Sequence, residues 1–185
     1  ESAMEMKKIV GFVIALLFSS SLVKAQQAYI PVDAESKVHF TIKNFSIKVG
    51  GDFTGLKGII KFDPAKYSVS SFDVTVDAST IDTDNSSRDS HLKKEEYFDT
   101  DTYKTIHFIS TKIVKSTTEG RFYMYGELTI KGVTKPVEFG FGATPKSNGY
   151  VFDGAFLLNR RDFGVGGGSI TMSDNLTVGL SVFVK

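Results

Sequence analysis

One polar segment interrupts a chain that otherwise alternates between apolar and polar residues: TIDTDNSSRDSHLKKEEYFD, residues 80–99. Asn85, Ser86 and Ser87 belong to the residue types that cap a helix by accepting hydrogen bonds from its first free N–H groups. Asp89 in the next turn favours the positive end of the helix dipole, and two lysines follow it. We therefore expect one short helix here, and we interpret the segment as the crossover that closes one end of a β-barrel.

Apolar residues at every second position predict about eight strands in the rest of the chain. They are expected near residues 37–44, 53–62, 70–79, 105–115, 121–131, 137–143, 150–158 and 176–184. One-sided alternation over so many strands favours antiparallel pairing with one polar face. A sandwich and a closed barrel both satisfy this pattern. We favour an all-β, eight-stranded antiparallel barrel, because closure removes edge strands and none of these is protected by proline or charge.

Glycines divide the first part of this sheet. Gly50 and Gly51 are expected to turn the chain after the first strand. Gly55 and Gly58 then fall inside the second strand, where glycine marks a bend or a bulge.

The interior of such a barrel can be solid or hollow. Eight strands leave just enough room for packed side chains or one small ligand. The chain has 16 Phe and no Trp, and small residues share the inward positions with the Phe rings: Ala78, Gly126, Ala143 and Gly154. Either the small residues leave an elongated apolar cavity, or they alternate with large ones to fill the taper of the barrel. The pattern leaves both alternatives open.

The N-terminal residues have the features of a secretory signal peptide. Lys7 and Lys8 are basic, an apolar run begins at Ile9, and a small-residue cleavage site ends at Ala25, with residues 1–5 upstream of the expected initiator. We expect cleavage after Ala25 to leave residues 26–185 as one domain in the periplasm or secreted. No Cys is available for a lipid anchor, and no apolar run is long enough for a membrane-spanning helix.

Composition excludes several kinds of chemistry. Residues 26–185 have a formal net charge of zero with interspersed signs, which predicts no electrostatic surface for nucleic acid or for an anionic membrane. The three His, at positions 39, 91 and 107, do not form a metal-binding motif, and no Gly-x-Ser-x-Gly motif is present. The glycine-rich residues 164–169 lack the last glycine of a dinucleotide-binding motif, so we interpret them as a loop at the barrel rim. We expect no metal and no cofactor.

Two polar clusters remain, RDSH at residues 88–91 and NRRD at residues 159–162. Arg suits bidentate contacts with carboxylates or phosphates. The clusters could form hydrogen-bond networks that fix the helix to the barrel. They could also form a polar collar at the mouth of an apolar tube, where the head group of an amphipathic ligand would bind.

Separated motifs in the same order resemble the YceI-like family. They are TIDT (residues 80–83), RDxHL (88–92), YFD (97–99), GELTIxGVT (126–134) and NRxDFG (159–164). The resemblance covers essentially all of residues 26–185. It implies a lipocalin-like, eight-stranded barrel that encloses a polyisoprenoid chain in an apolar pore. One departure is YIPVD at residues 29–33, where an opening Trp is common in the family.

The resemblance implies a non-enzymatic protein that binds a long isoprenoid lipid, either a polyprenyl phosphate or an isoprenoid quinone, for transport, storage or sequestration. The expected ligand-binding residues are Phe40, Ile42, Phe53, Val74, Val76, Phe108, Met124, Gly126, Phe139, Phe141, Phe152, Gly154 and Phe156 along the tail, with Arg88, His91 and Arg160 near the head. The alternative is an envelope enzyme that acts on a lipid-linked substrate, with His91 and Asp89 as acid and base. A homodimer is left open.

Overall fold

The computed structural model describes residues 26–185, so the expected signal peptide lies outside the described residues. The described chain forms a single sheet with the strands β1 (Ala28–Tyr29), β2 (Lys37–Asn44), β3 (Ile47–Phe53), β4 (Lys57–Lys61), β5 (Ser71–Asp77), β6 (Thr105–Lys115), β7 (Arg121–Ile130), β8 (Val133–Lys146), β9 (Gly149–Asn159) and β10 (Met172–Val184). The helix α1 spans Ser86–Leu92, and short 3₁₀ turns cover Asp33–Glu35, Tyr67–Val69, Ala78–Thr80 and Arg160–Phe163.

All neighbouring strands of the sheet are antiparallel, in the order β1-β4-β5-β6-β7-β8-β9-β10-β2-β3. The prediction of an all-β antiparallel barrel with one short helix is confirmed. Strand β4 lies within the predicted second strand (residues 53–62), whereas β3 was not predicted as a strand; a bend where Gly55 has a φ of +73° separates the two. The remaining difference from eight strands is β1, which is too short for an alternating pattern to reveal.

The N-terminal segment joins the two sides of the sheet. Tyr29 of β1 pairs with Ile60 of β4. The next residues turn to β10, where the Ile30 N–H donates to the Lys185 carbonyl (2.9 Å) and the Val32 N–H donates to the Phe183 carbonyl (2.8 Å). Residues 28–32 therefore connect β4 to β10, and they curl the sheet into a barrel at this end.

The predicted turn at Gly50 and Gly51 is wrong. Both residues lie inside β3, and the chain turns earlier, at Phe45 and Ser46, between β2 and β3. These glycines allow rings of β2 to lie close to the neighbouring backbone, because a Cβ on Gly51 would come within 2.5 Å of the Phe40 ring. Glycine here reflects the approach of a ring rather than a change in chain direction.

The helix forms where its capping residues predict it. Asn85 is the N-cap, and its side-chain oxygen accepts a hydrogen bond from the Arg88 N–H (2.9 Å). Leu92 at the end of α1 and Phe98 just beyond it pack on the buried cluster of Phe53, Leu56, Val76 and Ile81. The helix segment therefore lies over the same side of the barrel as β3 and the end of β5.

One end of the barrel is solidly packed. Phe62 lies at its centre and is almost completely buried. Its ring centroid lies 5.1–6.4 Å from the rings of Phe72, Phe122, Phe141, Tyr150 and Phe152. Tyr29 completes this cluster, and burial raises the pKa of its hydroxyl. We call this cluster, which also includes Ile60 and Val184, the packed end.

Candidate functional site: an apolar cavity in the barrel

The other half of the barrel contains a cavity of about 260 Å³ whose walls are almost entirely apolar. Ligand pockets in proteins usually measure about 300–1,000 Å³, so this volume lies just below the usual range. The inward-facing residues of β2 and β10 form one wall, and those of β5 to β9 form the other. The sequence left open whether the interior is filled; the structure shows a barrel that is filled at one end and hollow at the other.

The wall formed by β2 and β10 is only half-buried, although its side chains point into the barrel. They are Val38, Phe40 and Ile42 on β2 and Leu176, Val178 and Leu180 on β10. Val178 is the cross-strand neighbour of both Phe40 and Phe156, so aromatic and aliphatic groups alternate along this wall. These side chains remain exposed to the cavity, which makes them the apolar surface that a ligand could cover.

The cavity opens beside the turn between β2 and β3. At its inner limit Ile60, Phe72 and Phe141 are buried and belong to the packed end. At the opposite limit the cavity is lined by Asn44, which is exposed, and by Met172, which is half-buried. These two residues are paired across the ends of β2 and β10. We call this opening the mouth.

Fourteen of the sixteen residues expected to bind a ligand line the cavity: Phe40, Ile42, Phe53, Val74, Val76, Arg88, Phe108, Met124, Phe139, Phe141, Phe152, Gly154, Phe156 and Arg160. The structure does not bring Gly126 and His91 to it. A Cβ on Gly126 would lie within 2.4 Å of the Phe108 ring, so this glycine seats the ring and does not widen the cavity. His91 is exposed on the outer side of α1, where Nε2 lies 2.5 Å from Glu96 Oε1.

Further lining residues were not among those expected. Tyr97 and Val165 come from the loops at the rim, and Thr83 comes from the segment before α1. Others carry a signal in the sequence, because Val178 and Leu180 share the inward parity of β10. They were missed because none of the expected ligand-binding residues was taken from β10.

Arg88 helps to hold the helix segment together. Its Nε donates to Thr83 Oγ1 (2.8 Å) and its Nη2 donates to the Thr83 carbonyl (2.7 Å). Asp89 accepts from both the backbone N–H (2.9 Å) and the hydroxyl of the same threonine. Thr83 follows Asp82, which bridges to Asp52 of β3, so the network fixes the helix start to the barrel wall.

Arg160 is a second brace. Its side chain is only 4% exposed, and Nη2 donates to Asp174 Oδ1 at 2.7 Å. Nε donates to the Ser173 carbonyl, and Nη1 donates to the carbonyls of Val165 and Gly167. These four hydrogen bonds fasten the glycine-rich loop to the start of β10. Four of the five guanidinium donors are thereby used, which leaves little capacity for a ligand head group.

A polar recess of about 280 Å³ adjoins the cavity between β3 and the start of α1. His39, Val49, Thr83 and Arg88 line both spaces. The rest of its lining is Lys48, Gly50, Gly51, Asp52, Asp82 and Asp84. Three carboxylates thus outnumber the two permanent cations. His39 Nδ1 lies 2.7 Å from Asp52 Oδ1, so these two side chains are paired with each other.

Residues 26–185 contain no group of three or more His, Cys, Asp or Glu arranged to hold a metal ion. His107 pairs with Asp73 on the neighbouring strand, on the outer face of the sheet. No helix in this part of the chain is long and apolar enough to cross a membrane.

Fold and cavity together define a lipocalin-like β-barrel, an antiparallel sheet curled around an apolar internal space. The chain belongs to the YceI-like family, because residues 29–184 match the model of the YceI-like domain.

Known relatives agree with this assignment. A UPF0312 protein of Pseudomonas savastanoi is 33% identical over 168 residues, which cover 83% of this chain and 86% of the relative. Burkholderia cenocepacia BcnA has a similar structure with a TM-score of 0.79 and 26% identity, over 84% of this chain and 99% of BcnA. A polyisoprenoid binding domain from Saccharophagus degradans shares the fold with a TM-score of 0.70 and 14% identity, over 85% and 97% of the two chains.

Proposed function

We propose that this protein binds a long-chain isoprenoid lipid with its tail inside the apolar cavity. The observation that carries the proposal is the half-buried wall of β2 and β10, whose apolar side chains face an empty interior. The Saccharophagus degradans neighbour is a polyisoprenoid binding domain, which supports the same class of ligand.

The expected affinity follows from the apolar area that a tail would bury. Each buried methylene contributes about 0.8 kcal/mol, so about ten carbons, or two isoprene units, contribute roughly 8 kcal/mol. That free energy corresponds to a Kd of about 1 μM, before the cost of ordering the tail is subtracted. A longer tail would extend through the mouth or require the walls to move apart.

The polar recess favours an uncharged head group over a phosphate. Among the lining residues of the recess, a phosphate would face the carboxylates of Asp52, Asp82 and Asp84 and the cations of Lys48 and Arg88, while Lys37 lies 3.7 Å from Asp52 outside the lining. Arg88 is also engaged with Thr83 through two of its donors. Of the two expected ligands, an isoprenoid quinone therefore fits the recess better than a polyprenyl phosphate.

The role that we propose is transport, storage or sequestration of this lipid in the periplasm or outside the cell, without catalysis. Asp89 is committed to Thr83, and His91 is paired with Glu96, so the contacts of these side chains do not support an acid–base pair. Replacing His91 by Gln should leave lipid affinity unchanged within about twofold.

Extraction of the purified native protein with organic solvent, followed by mass spectrometry, tests the proposal directly. Calorimetric titration with a quinone, an alcohol and a phosphate of equal tail length then tests the head-group preference. We expect the quinone and the alcohol to bind at least about tenfold more tightly than the phosphate, a difference of about 1.4 kcal/mol. Absence of extracted lipid and of binding by all three would refute isoprenoid binding. Tighter binding of the phosphate would refute only the preference.

A further inference from the structure

Three large apolar side chains stand in water at the mouth. Phe45 is 74% exposed, Ile47 is 70% exposed and Ile170 is fully exposed. They lie close together because Asn44 pairs with both Ile47 and Met172, and the Phe45 N–H donates to the Thr171 carbonyl at 2.6 Å. We call Phe45, Ile47 and Ile170 the apolar tip.

The requirements of the turn do not explain Phe45. Phe45 and Ser46 form the two-residue connection between β2 and β3, and Phe45 has a φ of +54°. Hairpin turns with positive φ favour Asn, Asp or Gly, and a bulky residue there is uncommon and strained. A large ring has therefore been placed where local folding disfavours it and where no neighbouring side chain buries it. That combination indicates that Phe45 contacts another molecule and does not serve the folding of this chain.

Two lysines lie next to the tip, and one of them, Lys48, also lines the polar recess. Lys43 and Lys48 face each other directly across β2 and β3, two positions from the turn on each strand. Neither makes an ion pair with another described residue. Like charges directly opposed on a sheet are destabilising, so this pair does not serve the hairpin itself. It would be stabilised by an anionic surface that lies against the tip.

The tip is continuous with the cavity. Asn44, Val49 and Met172 line the cavity, and each is within two residues of a tip residue. A surface that covers the tip would therefore also cover the mouth. An apolar phase next to the mouth would let a lipid tail move into the cavity without crossing water.

We propose that the apolar tip inserts into the surface of a lipid bilayer that contains anionic lipids. Phe45, Ile47 and Ile170 enter the boundary between head groups and acyl chains, and Lys43 and Lys48 contact the anionic head groups. The mouth then faces the bilayer. The proposal goes beyond lipid binding in the cavity and uses it only to explain why the surface lies at the mouth.

Sedimentation with vesicles tests the docking. The vesicles contain phosphatidylcholine alone or with about 30% phosphatidylglycerol, and the protein spans residues 26–185. Wild type should bind the anionic vesicles more tightly, and added salt should weaken this preference. Phe45→Asn should lower the partition coefficient between membrane and water about tenfold. The reason is that burial of the Phe ring in the membrane contributes roughly this factor, and the variant lacks the ring. The same change should leave the thermal midpoint equal or higher, because Asn tolerates a positive φ.

Leu157 provides the matched control. It is 77% exposed on the outer face of β9, away from the mouth, so Leu157→Asn removes similar exposed apolar area without touching the tip. We expect its vesicle binding to match wild type. The double variant Lys43→Gln and Lys48→Gln should lose the preference for phosphatidylglycerol while keeping binding that depends on the apolar tip.

Three results would overturn the proposal. The first is that wild type sediments with neither type of vesicle. The second is that Phe45→Asn and Leu157→Asn reduce vesicle binding equally. The third is that sedimentation equilibrium shows a dimer that Phe45→Asn dissociates, with no binding to vesicles, which would make the tip a contact between two copies. Calorimetric titration of Phe45→Asn with a short-tailed quinone separates this question from ligand binding, because the cavity of this variant is unaltered.

Discussion

Two valines on the same strand offer a matched test of the hollow half of the barrel. Val178 lines the cavity and is half-buried, whereas Val184 is completely buried in the packed end. Both lie on β10 and both point inward. Replacing either one by Phe adds four carbon atoms to the interior, so the two variants differ in the space that the new ring meets.

The expected changes in the free energy of unfolding differ in sign between the two variants. Adding carbons to a well-packed interior forces side chains off their rotamers, so Val184→Phe should cost about 1–3 kcal/mol. In the cavity of about 260 Å³ the ring meets empty space. Burying four carbons could contribute up to about 3 kcal/mol, from which roughly 1 kcal/mol of lost side-chain freedom and the cost of an imperfect fit are subtracted. Val178→Phe should therefore leave the free energy of unfolding unchanged or raise it by about 1 kcal/mol.

Urea denaturation followed by far-UV circular dichroism measures this difference, since the chain has no Trp to report by fluorescence. A gap of about 2 kcal/mol between the variants corresponds to about 4–8 °C in Tm for a domain of this size. Calorimetric titration of Val178→Phe should show an affinity for isoprenoid lipid at least about tenfold below wild type, because the new ring takes the place of part of the tail.

Two outcomes would refute the reasoning. If Val178→Phe is as destabilising as Val184→Phe, the interior near Val178 is packed and no cavity exists in solution. If Val178→Phe is stable and still binds lipid as tightly as wild type, the ligand lies elsewhere. Val184→Phe, measured under conditions in which it is fully folded, should bind isoprenoid lipid as tightly as wild type.

Three further predictions concern residues that support the cavity. Arg160→Ala should lower the free energy of unfolding by about 1–3 kcal/mol in urea, because it leaves the buried carbonyl of Val165 unpaired, whereas the half-exposed Arg161→Ala should cost less than about 1 kcal/mol. Gly126→Ala should push the ring above it into the cavity, lowering both stability and lipid affinity, whereas Gly179→Ala, which has open space beside its Cβ, should change neither; equal effects on affinity would contradict this. Hydrogen bonds from the hydroxyl and N–H of the serine two residues on hold the pKa of Asp77 below its usual value. Its contribution is therefore present at neutral pH and lost as pH falls below about 4, so denaturation at pH 7 and pH 3 should show a smaller acid-induced loss in Asp77→Ala than in wild type.

The strands could be predicted because each buries one face, which imposes a period of two on the residues of β2, β7, β8 and β10. Glycine was harder to interpret. Gly55 and Gly51 look alike in the sequence, yet one bends the chain at a positive φ and the other makes room for a ring from the neighbouring strand. The real turn, at Phe45 and Ser46, lacks the residues that usually mark a hairpin. Its position follows from pairing between strands, which local sequence does not contain.

The candidate site likewise has a part that could be predicted from the sequence and a part that could not. The parity of each strand fixes which side chains face inward, so most of the cavity wall could be predicted. The polar residues could not, because the role of an arginine depends on its partner. Arg160 meets Asp174 and three carbonyls from other parts of the chain, and these contacts commit it to bracing a loop. Only the three-dimensional structure shows which polar groups are already engaged.

The segment that joins β4 to β10 has a consequence for the order of folding. Residues 28–32 hydrogen-bond with Phe183 and Lys185, about 150 positions away, so nearly the whole chain must be present before the barrel can close. Contacts between such distant residues form late and slow the folding of β-proteins. A chain still emerging from the ribosome would keep an open sheet with an exposed Phe-rich face, the state in which a chaperone would most readily bind it.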